Sequence, residues 1–252
     1  MHKIGLKLWN INTDYYLKEA EKLFDNGVFD YIELYIVPGN IDKIKDWKKL
    51  HIPFDIHAPH FAHGMNLSKK EFRETNFEKY KEVKLFADEL KAKVIVFHGG
   101  SGGDYKETAE QLLSFYDKRI LIENKPFKTL AFVNEPYYVG AKFEEIKYIT
   151  EKVNCGFCLD IGHCICAANS FGIKPFEYIK KFVTLSPKRI HLSDIRIDTV
   201  MDEHLHFGQG NLSFEKLLSI LPKDTPITIE TTKNSKENLN DFEKDTEFLK
   251  LF

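Results

Sequence analysis

Eight short apolar segments, each followed by a stretch with helical spacing, restrict the folds open to this chain more than any other feature. The segments fall at residues 4–9, 31–37, 52–57, 94–98, 120–123, 156–160, 189–191 and 227–230. Helical periodicity follows at 13–24, 41–50, 70–90, 106–115, 142–153, 174–183, 213–221 and 240–251. In the first of these, Tyr16, Leu17, Ala20 and Leu23 recur on one face, and Thr13 reads as its N-cap. Short strands separated by helices imply parallel pairing with right-handed crossovers. Eight such units close into an α/β fold of the (β/α)8 barrel kind, with the carboxyl ends of all strands meeting at one mouth. A doubly wound open sheet is the alternative, and the absence of G-x-G-x-x-G after the first strand counts against it. The stretch 124–140 is irregular, and its LAFV (130–133) reads as a short extra strand or as packing. With no linker or low-complexity tract, residues 1–252 read as one domain, and 43% hydrophobic content is enough for its core.

The formal net charge is −2, so the chain lacks the basic excess of a dedicated DNA-binding domain. Met1-His2-Lys3 runs straight into IGLKLW without a secretory leader, and no apolar run approaches the roughly 20 residues of a membrane span. A cytoplasmic location is expected. Cys155, Cys158, Cys164 and Cys166 crowd into one stretch. A reducing cytosol argues against a disulfide, and the opposite strand parity of Cys155 and Cys158 argues against a zinc site. They read as small buried residues.

Six of the segments end in a metal-type ligand: His57, His98, Glu123, Asp160, His191 and Glu230. Asp160 falls where a strand empties into a loop, leaving a carboxylate without a ladder partner, and His163 follows one short turn later. Singly, such a residue is more often a cap or a satisfied loop residue. Likewise Gly99–Gly103 is more often a turn than a phosphate cradle. Together, three carboxylates at one barrel mouth would repel strongly without cations. Mixed histidine and carboxylate ligation suits zinc, with manganese as an alternative. In the loop after the seventh strand Asp202 and His204 join the set, with Glu203 and His206 competing on spacing alone.

The stretches HAPH…NLS (57–68), VIVFHGGS (94–101), ILIEN (120–124), GFCLDIGHC (156–164), RIHLSD (189–194), DEHLHFGQGN (202–211) and TIET (228–231) resemble endonuclease IV. These are the zinc-dependent abasic-site endonucleases (AP endonuclease family 2) of the xylose isomerase-like TIM barrel superfamily. The resemblance implies up to three zinc ions. His57 and His98 would hold one, with Glu123 bridging to a second completed by Asp160, His191 and Glu230. His163, Asp202 and His204 would hold the third, and the family's D-x-H spacing is what selects the last two. The sequence departs from the family after the first strand, where GLKLWNIN replaces a G-A-H-x-S type stretch. It departs again after Glu123, where the loop is longer, and at the added His63-Gly64.

Three divalent cations against Glu123, Asp160, Asp202 and Glu230 leave two positive charges, which suits a phosphodiester and an activated water. The expected reaction is in-line hydrolysis of a phosphodiester, and the resemblance implies that the substrate is DNA cut 5′ to an abasic site, leaving a 3′-hydroxyl and a deoxyribose 5′-phosphate. Glu123 and Glu230 are the expected catalytic residues, and a monomer binding abasic DNA the expected working form. Lys69, Lys70, Lys125, Lys128 and Arg196 are candidate phosphate contacts. The competing reading is a sugar isomerase or epimerase with one cation on Glu123, Asp160, His191 and Glu230. It leaves His57, His98, Asp202 and His204 without a role. A third is a binding protein that keeps the metals without catalysis.

Overall fold

The computed structural model describes residues 2–131 and 133–252. Eight parallel strands close in sequence order into a barrel. They are β1 (Ile4–Trp9), β2 (Tyr31–Tyr35), β3 (Phe54–His57), β4 (Ile95–His98), β5 (Ile120–Glu123), β6 (Gly156–Asp160), β7 (Arg189–Leu192) and β8 (Ile227–Ile229). Closure is made by β8 against β1, where Ile4 stands opposite Ile227 and Leu6 opposite Ile229. Outside lie α1 (Leu17–Asp25), α2 (Ile44–Trp47), α3 (Arg73–Glu89), α4 (Tyr105–Ser114), α5 (Phe143–Val153), α6 (Ile161–Ser170), α7 (Pro175–Val183), α8 (Phe214–Ile220) and α9 (Asn240–Leu249).

The apolar core fills the shell between barrel and helices. In α3 the buried Tyr80, Val83, Phe86 and Ala87 recur every three or four residues and so share its inner face. Trp47, Phe86, Phe97, Phe157, Phe182 and Phe242 are fully buried in this layer. Each such side chain is worth roughly 1.5–3 kcal/mol of transfer free energy at most.

The bore of the barrel is different. Leu6 and Leu8 face the helices, so the alternation of a strand turns Lys7 inward. The same parity turns Glu33, Asp55, His57, His191 and Thr228 inward. Val94, Val96, Leu121 and Cys158 form a small apolar cluster of their own, apart from the main core. Below the charged layer, Tyr31 lies across Gly5, where a Cβ would meet the Tyr31 ring at 2.4 Å. A bore lined with ionisable groups departs from the usual stack of branched apolar residues.

Several local expectations differ from the structure. Thr13 is not a cap: Asn12 Oδ1 accepts the Trp9 amide at 2.7 Å, which ties a 3-10 turn to the end of β1. The helix then starts at Leu17 without a side-chain cap. Asp160 does not empty into a loop. It pairs with His191 in the ladder and caps α6, which follows at once. In the LAFV stretch Phe132 lies outside the described residues, and Leu130, Ala131 and Val133 form no strand. The glycines after His98 serve a close approach: a Cβ on Gly100 (φ +102°) would lie 2.2 Å from Asn66 Oδ1. Among the described residues, no helix is long and apolar enough to cross a membrane.

Candidate metal centre

All nine expected ligands gather at the carboxyl ends of the strands. Glu123, at the end of β5, stands at the middle. Its Oε2 lies 3.1 Å from His57 Nε2, 3.2 Å from His98 Nε2 and 3.3 Å from His191 Nδ1. Its Oε1 lies 2.9 Å from His163 Nδ1. His191 Nδ1 is also 3.0 Å from Glu230 Oε1, just past β8. On the far side, Asp202 Oδ2 lies 2.8 Å from His204 Nε2 and 3.1 Å from His163 Nε2.

Local structure explains these placements. Asp160 Oδ1 accepts the His163 amide at 2.7 Å, the N-cap bond that starts α6 and brings His163 back over the strand end. Gly162 between them leaves room for the Asp202 loop, since a Cβ there would already touch Asp202 Oδ1 at 3.3 Å. Asp160 Oδ2 lies 3.5 Å from His163 Nδ1, so the two share one side of Glu123, although the resemblance assigns them to different ions. The competitors are engaged elsewhere. His206 pairs with Asp245 at 2.8 Å, and Glu203 pairs with Arg196.

Four of the five histidines, all but His98, are held in a common way. One nitrogen is tied behind the site: His57 to Ala58 O at 2.7 Å, His163 to Asn124 O at 2.9 Å, His204 to Glu230 O at 2.8 Å and His191 to Glu33 Oε2 at 2.9 Å. With that nitrogen donating, the other presents a lone pair to a carboxylate. Such outer partners fix ring orientation and tautomer in metal sites. Facing lone pairs repel unless a proton or a cation stands between them.

Protons fill part of that role. Burial lowers the pKa of His163, yet Asp160 and Asp202 outweigh it and hold the pKa at about 10. Asp202 lifts His204 to about 9. Burial also opposes charge on His191, but Cys158, Glu230, Glu33 and Glu123 raise it well above the ordinary value. Burial pushes His57 and His98 down, leaving them neutral and ready to ligate. Burial lifts Asp160 to about 6. Glu123, Asp202 and Glu230 are raised by burial but pulled well below their usual range by the surrounding imidazoles.

The residues fit a cluster of cations. His98 Nδ1, His191 Nδ1 and Glu123 Oε1 are buried without a hydrogen bond, although the last two stand within 3.3 Å of charged neighbours. Atoms that are close but not aimed at one another converge on a shared point. Ligand atoms fall within 4.8 Å of one another in the groups His57–His98–Glu123, Glu123–Asp160–His163 and His163–Asp202–His204. Nitrogen and oxygen donors in this mixture match zinc or manganese.

Three residues beside the centre were not assigned to it in the sequence: Lys7 and Glu33 went unremarked, and Cys158 was read as a small buried residue. Lys7 Nζ lies 2.6 Å from both Glu33 Oε1 and Glu230 Oε1. Glu33 is fully buried and accepts from Thr228 at 2.8 Å. Cys158 groups with Glu123 and His191. A signal existed for the first two: a charged residue alternating with leucine or isoleucine in IGLKLW and YIELY. Parallel barrel strands are covered on both faces, so such a charge must enter the bore.

Above the centre opens a cavity of about 660 Å³, lined by Trp9, His60, Phe61 and Tyr138 and by Lys7, Lys125, Lys128 and Lys233. The His60 ring stacks on His98 with centroids 5.4 Å apart. The added His63 hydrogen-bonds the Tyr35 hydroxyl at 2.8 Å. Of the five candidate phosphate contacts, Lys125 and Lys128 line this cavity. Lys69 pairs with Glu135 and Arg196 with Glu203, which neutralises both, and Lys70 lies in a separate cleft beside Arg73.

Known proteins resemble the chain in sequence and in fold. A probable endonuclease 4 of Mycoplasmoides gallisepticum is 26% identical over 208 residues, covering 76% of this chain and 65% of its own length. The crystal structure of a D-tagatose 3-epimerase-like protein superposes with a TM-score of 0.71 at 22% identity, over 99% of this chain and 96% of that one. Endonuclease IV from Thermus thermophilus superposes with a TM-score of 0.70 at 18% identity, over 99% and 98%. At those identities the structural likeness is one of fold. The model of one family matches residues 21–252, and the chain therefore belongs to the xylose isomerase-like TIM barrel family.

Proposed function

We propose that this chain is a metal-dependent phosphodiester hydrolase that cleaves DNA 5′ to an abasic site. The observation that carries the reading is the continuity of the centre: seven of the nine ligands fall in three groups joined through Glu123 and His163, and His191 and Glu230 adjoin them, His191 Nδ1 lying 3.3 Å from Glu123 Oε2 and 3.0 Å from Glu230 Oε1. A single-cation enzyme has no use for the His163–Asp202–His204 group. Zinc ions in these positions would polarise a phosphoryl group and lower the pKa of water toward about 7. Glu123 and Glu230, held as anions, accept hydrogen bonds from the attacking water and fix its direction. Glu33 holds the His191 ring, and Asn124 O and Glu230 O hold His163 and His204. Lys125 and Lys128 meet the phosphate backbone from the cavity wall. The aromatic rim of Trp9, Phe61 and Tyr138 gives an extruded sugar a water-poor surface.

The test is nicking of an abasic-site oligonucleotide beside metal analysis of the same preparation. Metal-dependent incision that H163A or H204A abolishes supports the reading. No incision in protein carrying its metals overturns it.

One observation favours a second reading, a sugar isomerase or epimerase using one cation on Glu123, Asp160, His191 and Glu230. Lys7 and Glu33 sit directly against Glu230 and His191, which places proton-carrying groups at the floor of the cavity. Ketose–aldose interconversion or epimerisation that tolerates H204A would replace the first reading by this one.

A further inference from the structure

Three large apolar side chains stand exposed where β1 ends and its loop begins: Trp9, Ile11 and Tyr15. A group of this kind beside a cavity marks a contact surface. Strand alternation puts Trp9 on the same side as Lys7, one layer nearer the mouth, and it lines the cavity there. Two ring contacts join it to the metal centre. Its centroid is 5.2 Å from that of Tyr35, and Tyr35 is 5.4 Å from the ligand His57. Trp9 nevertheless stays 42% exposed, whereas Trp47 is fully buried.

The backbone beneath the indole is fastened. The Trp9 amide donates to Asn12 Oδ1 at 2.7 Å. The side chain of buried Asn10 accepts from Val37 N at 3.0 Å and donates to Val37 O at 3.1 Å. The Asn10 carbonyl accepts from Trp47 Nε1. An exposed aromatic side chain on a fixed mount gives a flat partner a large contact area at little entropic cost.

The surrounding charge identifies that partner. Lys128 shares the cavity wall with Trp9, and Lys236 Nζ lies 5.3 Å from the Tyr15 ring centroid. Among the described residues, the only carboxylates on that wall are the ligands Asp202 and Glu230. Aromatic faces interleaved with lysines suit a nucleic-acid strand, whose backbone follows the cations while its bases stack. The sugar at an abasic site has lost its aromatic face, so a base that stacks comes from a neighbouring nucleotide.

We propose that Trp9 stacks on a nucleobase next to the abasic nucleotide, so that the chain senses a base beside the bond it cuts. This rests on the phosphodiesterase reading above and adds a specificity residue to it. Trp9 lies in GLKLWNIN, where the sequence departs from the endonuclease IV pattern, so the stack belongs to this chain's own loop.

The experiment has two arms, both on the full-length, metal-loaded chain. The first follows indole fluorescence during titration with pentathymidylate, a strand without an abasic site. Wild type should be quenched and W9F should not, because the tryptophan left in W9F, Trp47, is fully buried. A pentamer of base-free tetrahydrofuran nucleotides should not quench wild type. The second arm measures incision of an abasic-site duplex whose flanking nucleotides carry bases or lack them. Base-free neighbours should raise the wild-type KM about tenfold or more with kcat little changed. W9A should show that rise with the ordinary substrate and no further rise with base-free neighbours, and W9F should keep KM near wild type. Wild type indifferent to the neighbours, or W9A still sensitive to them, overturns the stack and leaves hydrolysis standing. Quenching by fructose but not by pentathymidylate gives Trp9 a carbohydrate ring instead and also overturns it. Where no oligonucleotide is incised the proposed function falls, and the quenching arm decides the stack alone. Wild type and W9F serve both arms, so the proposal is tested even where W9A folds poorly.

Discussion

Adding metal to this protein should release protons in a number that the site geometry sets. His163 and His204, with pKa values of about 10 and 9, are charged at pH 7.5, and His191 lies higher than its ordinary value as well. His57 and His98 are neutral and have nothing to release. Asp160, at about 6, is already ionised. Filling every position should therefore expel about three protons per chain, one from His191 and two from the His163–Asp202–His204 group. A proton on a ligand competes with the metal below that ligand's pKa. Affinity for the third position should rise by about two decades per pH unit near neutrality and flatten above pH 9–10, and each decade is about 1.4 kcal/mol. Zinc or manganese calorimetry in two buffers of different ionisation enthalpy measures the number directly. Tight binding with no net proton release at pH 7.5 would mean that the imidazoles stand neutral, and the electrostatics argued from Asp160 and Asp202 would be wrong.

Three further outcomes follow from the same structure. E33Q should weaken metal binding about 10- to 100-fold, because the anion that orients His191 Nε2 is gone; unchanged calorimetric affinity would contradict this. Glu33 also ties stability to pH. Burial opposes its charge, but His191 and Lys7 hold its pKa at about 2, so its contribution is complete above the unfolded value near 4.5 and is lost as pH falls toward 2. The melting-temperature gap between metal-free wild type and E33Q should narrow over that range, and a constant gap would refute the pairing. W47A removes a fully buried indole whose Nε1 donates to Asn10 O at 2.8 Å, and should cost about 3–5 kcal/mol in urea unfolding. A loss under about 1 kcal/mol would show that the α2 contact is not part of the core.

The barrel was legible because its strands end abruptly in a ligand and its helices keep their period. Glu123 and Asp160 end their strands at the expected residues, and the same strand ends deliver most of the centre. Lys7 and Glu33 were hidden because each looks like an ordinary polar residue in a short strand. Only knowledge that both faces of these strands are covered makes the charge significant. The helix after Asp160 was missed because IGHCICAANS is apolar all round, without the amphipathic spacing that marks a surface helix. It is buried over most of its length. Lys125 was read only as a candidate phosphate contact, since no sequence pattern reveals that it is buried.

Tyr31 lies across Gly5 and bonds Thr228, which in turn holds Glu33. The barrel is thereby stoppered from below and becomes a vessel with one doorway. Whatever enters must leave by the same opening, so departure of the product competes with arrival of the next molecule. Dissolved ions act mainly at the threshold: they screen the lysines of the rim, while the attraction of buried Glu33 for Lys7 and His191 beneath is screened far less.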